Sequence, residues 1–202
     1  MRWYDGRMVE HPSRSEIETA KARRADFMAA LPLKLLEAED TLPSRVRALN
    51  AATRSKIYLI YQVADDISLV REPFVACKKS CSSCCHMNVS LTKAEAERLA
   101  KAVGRKMAPI ADFSRHAPDK FAGMPCPFLD TQGACSIYAD RPLSCRKHSS
   151  FFETAMSCHP SVMNTIEGPQ VAFSGLDEAL FTASGSDGAL VADIRDFFPV
   201  RS

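Results

Sequence analysis

No stretch of this 202-residue chain approaches the roughly 18 uninterrupted apolar residues of a membrane span, so no transmembrane helix is expected. An excess of one charge is missing as well. The 26 basic and 24 acidic side chains leave a net charge of +2, with no long Lys/Arg run. That balance gives no support for a nucleic-acid partner, and Lys21-Ala-Arg23-Arg24 reads as a solvated helix face. The first seven residues, Met1-Arg-Trp-Tyr-Asp-Gly-Arg, hold no apolar stretch and no small-residue cleavage site. A secretory signal is therefore not expected, and a cytoplasmic location is. A nucleotide-binding glycine loop, G-x-S-x-G and H-E-x-x-H are all absent, so the motif-marked enzyme classes lack support. No catalytic residue can be named, and whether the chain is an enzyme stays open. There is no internal repeat.

What the chain does have is cysteine. With 46% hydrophobic and 25% charged residues it has the composition of an ordinary globule, long enough to bury a core without staples. Eight cysteines are thus not needed to hold a miniature scaffold together. In a reducing cytoplasm they point to metal rather than disulfides. Seven of them fall in two bursts: Cys77, Cys81, Cys84 and Cys85, then Cys126, Cys135 and Cys145. Thiolates are soft ligands that select zinc, Cu(I) or iron–sulfur clusters. Seven clustered thiols exceed what one tetrahedral zinc requires, and only Cys81-x2-Cys84 has the knuckle spacing of a zinc finger. Iron–sulfur clusters tolerate less regular spacings. The C-x3-C-x2-C run is also that of radical-SAM loops, but Ser82-Ser83 replace the usual aromatic and no barrel-type alternation follows. Simple burial of free cysteines as small hydrophobes is the bland alternative, and two compact bursts of reactive thiols argue against it.

Cys158 stands 13 residues after Cys145 and is left open between ligand and bystander. His86, His148 and His159 adjoin cysteines and are weighed as ligands against donating a hydrogen bond behind a ligand or sitting in solvent. His11 and His116 carry no signal. Arg141 and Arg146 flank Cys145, where a guanidinium could offset thiolate charge.

The periodicity around these bursts is helical. Ser15-Glu-Ile-Glu18 reads as a capping box, with Ile17, Ala20, Arg24, Phe27 and Leu31 at helical spacing and Pro32 closing the run. A longer helix of about six to seven turns is expected from near Pro43, carrying Val46, Leu49, Thr53, Ile60, Val63, Ile67 and Val70, and ending at Arg71-Glu72-Pro73. Core packing is favoured for that stripe over a dimer seam, because Lys56 interrupts it. Thr92 and Glu95 form another capping box, opening a helix that Gly104 closes. A short helix is expected from Pro109 to about His116. Residues 126–139 read as a hairpin turning at Gly133, and Arg141-Pro142 begins a turn carrying Cys145. Leu176–Phe181 and Ala189–Phe198 read as two short helices, divided by a linker-like Ser184-Gly-Ser-Asp-Gly188.

Cys77-x3-Cys81-x2-Cys84-Cys85, Val89-Ser-Leu-Thr92, Cys126-Pro-Phe-Leu129, Cys135-x-Ile-Tyr138 and Arg141-Pro142-x2-Cys145-Arg146, in that order, resemble the YkgJ-type cysteine-cluster family, a zinc- or iron-chelating CxxCxxCC domain. The likeness covers residues 77–150, with a first gap of three residues in place of two. It implies a metal chelator. Similar clusters accompany flagellin lysine methylases, but no S-adenosylmethionine site is recognisable here, so methyl transfer is not carried over.

The expectation is therefore a mainly α, single-domain protein, its helices around an irregular Cys-rich metal centre with a short β-hairpin. Residues 1–75 form a helical extension packing on the core, 76–160 the metal-binding domain, and 161–202 a tail with one or two short helices. Cys77, Cys81, Cys84, Cys85, Cys126, Cys135 and Cys145 are the candidate ligands of an iron–sulfur cluster, most simply [4Fe–4S], in a redox or accessory role. A zinc-binding structural or partner-docking module, and a transient metal-handling or redox-sensing protein, are the rivals. A protein partner is allowed but not identified.

Overall fold

The structure, a computed structural model, describes residues 2–4, 7–9, 11–78, 81–112, 116–117, 120–163, 166 and 168–199. A backbone hairpin, β1 (Arg2–Tyr4) and β2 (Arg7–Val9), precedes the helices. α1 (Arg14–Ala30) is opened by Ser13, not Ser15. The Ser13 hydroxyl accepts from the Glu16 amide, and the Glu16 carboxylate accepts from the Ser13 amide at 2.7 Å. Two serines two residues apart each have a Glu three residues on, so local pattern alone leaves the register open. Ala20, Phe27 and Leu31 are buried as the spacing predicts.

α2 (Leu33–Asp40) and α3 (Leu42–Ala48) follow, and α4 runs Thr53–Arg71. The single long helix expected from Pro43 is thus two. Leu42, Pro43 and Val46 are buried on one side of the break, and burial resumes only at Ile57. Leu49 is exposed and caps α3 in extended backbone, so no apolar contact carries the helix across residues 49–52. Within α4 the buried Ile57, Ile60, Val63, Ala64 and Ile67 confirm the core reading of the stripe.

α5 (Lys93–Val103) has the expected Thr92–Glu95 capping box and ends at Gly104 with φ 65°. Among the described residues of 109–116 there is no helix, and residues 113–115 lie outside that set. The hairpin expected over 126–139 reduces to one bridge, Leu129 to Cys135. Asp130 Oδ1 accepts from the amides of Gln132 and Ala134, and Gly133 supplies φ 73°. α6 (Leu143–Lys147) and α7 (Pro160–Met163) are short.

α8 (Ser174–Gly188) is longer than expected. The supposed linker forms its last turns, broken at Gly185 with φ 65°. β4 (Val191–Asp193) pairs antiparallel with β3 (Ser90–Thr92) and runs into α9 (Ile194–Phe197), where one helix was expected. Two apolar cores result, in one mainly α-helical domain with little strand. The first joins α1, α3, α4 and α8 through Phe27, Val46, Ile57, Ile60 and Leu176, with the Phe151 ring 5.7 Å from that of Phe27. The second gathers Leu91, Leu99, Phe128, Ile137, Ile194, Phe197 and Phe198. Fully burying each such side chain contributes about 1.5–3 kcal/mol.

Candidate metal centre

Pro73, in the 3-10 turn Glu72–Phe74, ends the α4 direction and delivers the chain to Cys77. A second 3-10 turn, Ser83–His86, carries Cys84 and Cys85. Cys126 and Cys135 lie in the loop before α6, and Cys145 lies on α6 itself. The eight thiols are all free.

They divide into two neighbourhoods. Cys85, Cys126, Cys135 and Cys145 all pack on the second core. The thiols of Cys126 and Cys135 each feel the charge of Cys85, and Cys145 feels those of Cys85, Cys126 and Cys135. The Cys126 sulfur accepts the amide N–H of Phe128, and the Cys135 sulfur that of Ile137. Cys77, which packs on the first core, has Cys81 as its electrostatic neighbour, and Cys158 feels both. Cys84 stands between the groups, feeling Cys85, Cys145 and Cys77. The sequence-predicted seven are thus brought into one region but not onto one point. Among the described residues no three His, Cys, Asp or Glu side chains converge at coordinating distance of a single ion.

Burial disfavours the thiolate at Cys77, Cys135 and Cys145, and pushes Cys126 up to about 11. Cys85 is the exception. The Cys84 thiol donates to its sulfur, and the nearby Arg195 guanidinium also favours the anion, so the pair holds its proton on Cys84.

Arg195 had no sequence signal; it lies in the C-terminal segment, 50 residues past Cys145. It is 8% exposed and donates to the carbonyls of Cys85 (3.1 Å), Met87 (3.0 Å), Met124 (2.6 Å) and Pro125 (3.3 Å). Its partner Asp193 Oδ1 lies at 3.1 Å. The Cys126 amide adds a 2.7 Å bond to the Cys85 carbonyl. One guanidinium therefore ties the first cysteine burst to the second.

α6 is fixed by Glu95, whose Oε1 accepts from the Leu143 amide (2.7 Å) and the Tyr61 hydroxyl (2.8 Å). Arg146 faces away from the thiols. It pairs with Asp65, donates to the Arg141 and Ala139 carbonyls and lies over the Tyr61 ring. Arg71 donates to the Arg146 and Lys147 carbonyls and lends its charge to Cys77. Arg141 does as expected, its charge reaching Cys77 and Cys135.

Of the histidines, His86 Nδ1 lies 3.1 Å from the Ser82 carbonyl and His159 Nδ1 2.8 Å from Ser161 Oγ. His148 is the one whose buried Nε2 has no hydrogen-bond partner.

The donor chemistry suits a metal or cluster: all-sulfur ligands from separate segments in an apolar surround, with cationic Arg side chains beside them. Two buried donors near Cys145, Arg141 Nε and Ser144 Oγ, also lack an acceptor, as they would beside an anionic sulfur centre.

With this geometry in place, residues 76–162 match a family model, CxxCxxCC, described as "Putative zinc- or iron-chelating domain". No curated protein and no solved structure matches the chain. The matched stretch reaches past the expected residue 150 and takes in Cys158 and His159. That description names zinc and iron together without dividing them. No helix among the described residues is long and apolar enough to cross a membrane.

Proposed function

We propose that this protein holds an iron–sulfur cluster, a [4Fe–4S] centre, in a redox or accessory role. Cys85, Cys126, Cys135 and Cys145 are its ligands, with Cys84 at its edge. The carrying observation is that these four sulfurs, alone among the eight, share one apolar core and one another's electrostatic reach. Four thiolates are the usual complement of such a cluster, and hydrogen bonds to sulfur and solvent exclusion set its potential. The Phe128 and Ile137 amides supply hydrogen bonds of that kind, and Arg195 and Arg141 offset the negative charge. When bound, the cluster supplies one-electron chemistry.

Anaerobic purification followed by iron, zinc and acid-labile sulfide analysis tests this. Brown protein with iron and sulfide in near-equal amounts is expected, with the colour lost in Cys126→Ser and Cys145→Ser. Colourless protein with zinc and no sulfide would overturn the cluster and leave a structural zinc module that unfolds on chelation. Labile metal with reversible thiol oxidation would instead mark a metal-handling or redox-sensing protein.

A further inference from the structure

We propose that Cys77, Cys81, Cys158 and His148 form a second, separate site for a borderline-soft divalent cation of the zinc class. The inference shares with the cluster reading only the division of the thiols into two groups; it does not depend on what fills the first.

Two observations bring Cys77, Cys81 and Cys158 together, and a third puts His148 in one cavity with Cys158. The first is Ser150, buried two residues after His148, whose amide N–H faces the Cys77 sulfur while its hydroxyl faces the Cys158 sulfur. A single small residue thus touches two cysteines 81 positions apart in sequence. Ala76 is held there too, its amide donating to the Ser150 carbonyl at 2.9 Å. The second is electrostatic: Cys77 and Cys158 both feel the charge of Cys81. The third is a cavity of about 60 Å³ lined by His148, Ser150 and Cys158 among others. His148 is largely buried there, and its Nε2 has no partner. A buried imidazole nitrogen left unsatisfied is disfavoured, and metal ligation is one of the few roles that uses that lone pair.

The geometry of α6 explains why the two sites stay distinct. Cys145 and His148 are three residues apart, at the middle and C-cap of a five-residue helix. Cys145 joins the Cys85–Cys126–Cys135 group, while His148 lines the cavity with Cys158. Three sulfurs and one imidazole nitrogen are a standard structural zinc set, tetrahedral and closed. The side chains are neighbours and not a closed shell, so binding would draw them together around the ion.

The test is zinc binding by the full-length protein, with zinc, iron and sulfide counted together and the zinc shell read by X-ray absorption. Wild-type protein is expected to retain one zinc beyond the first centre. Three sulfurs near about 2.3 Å and one nitrogen near about 2.0–2.1 Å should surround it. His148→Ala and Cys158→Ser should each lower retained zinc at least tenfold under a competing chelator, leaving iron and sulfide unchanged. Absence of zinc in the wild type, or unchanged zinc in both variants, would overturn the site. Should both variants fail to fold, the wild-type shell decides: one nitrogen among sulfurs supports the site, and a shell without it overturns it. Two zincs with no iron would defeat the cluster reading alone, whereas iron without zinc would defeat this one alone.

Discussion

Arg195→Met is the perturbation that most directly tests how the cysteine bursts are joined. Methionine keeps an apolar stem of similar reach and removes every donor. Asp193 is not stranded by the change. Its Oδ2 still accepts from the Val89 amide at 2.6 Å and its Oδ1 from the Arg195 amide at 2.9 Å. The Cys85 carbonyl likewise keeps the Cys126 amide. The carbonyls of Met87, Met124 and Pro125 lose the guanidinium donor that serves them. At about 1–3 kcal/mol for each poorly satisfied buried group, relieved in part by entering water, the loss comes to about 3–5 kcal/mol. The same range applies to removing one partner of a buried ion pair. Against a domain stability of about 5–15 kcal/mol that is a large fraction. Urea denaturation of wild type, Arg195→Met and Arg195→Lys measures it, with metal content read in parallel. Lysine, a cation with fewer donors and no planar fork, should fall between the two. An Arg195→Met protein within about 0.5 kcal/mol of wild type, the spread of ordinary surface substitutions, and with full metal content would refute the reasoning.

Tyr61→Phe removes the hydroxyl that donates to Glu95 at 2.8 Å; a cost of about 1–2 kcal/mol is expected in thermal unfolding. An unchanged midpoint would mean that the Leu143 amide satisfies Glu95 unaided. Gly175→Ala drives a Cβ into the Glu39 carbonyl oxygen, where α2 meets α8. Because that neighbour is backbone, a loss of about 1–3 kcal/mol or more is expected, and a neutral result would show that the two helices slide apart freely. In protein stripped of metal, burial raises the thiols of Cys126 and Cys158 to about 11, above the usual 8.5 or so of a free cysteine. The unfolded chain then loses those protons first. The stability they contribute is whole below about pH 8.5 and is lost as pH rises through about 11. Urea midpoints at pH 8 and pH 10.5 should show the fall, and Cys158→Ala should make it shallower.

The helical periodicity and the second capping box were legible because both are local. Thr92 and Glu95, or Ile60 and Ile67, declare themselves within a turn or two of helix. The break between α3 and α4 was not, since Leu49 fits a stripe by spacing and only tertiary burial shows that nothing receives it. The candidate thiols were legible as a set, because no other residue type clusters in this way. Their division was not. It depends on Ser150 and α6, which touch cysteines distant in sequence. Arg195 was the least legible, since a guanidinium serving carbonyls 70 to 110 residues away leaves no trace in its neighbours' identity.

The pairing of β4 with β3 has a consequence for the order of events in synthesis. All eight thiols are synthesised before Asp193 and Arg195, so the residues that fasten Cys85 to Cys126 arrive after the ligands they join. Until then the thiols hang on loops whose closure spans about half the chain, a slow kind of contact to make. Metal offered early meets an unassembled set of sulfurs, and metal offered late meets the gathered one. Competence for the first centre is in this sense delayed by the chain's own order, and a nascent chain halted after Cys158 would carry every ligand and still lack the clasp.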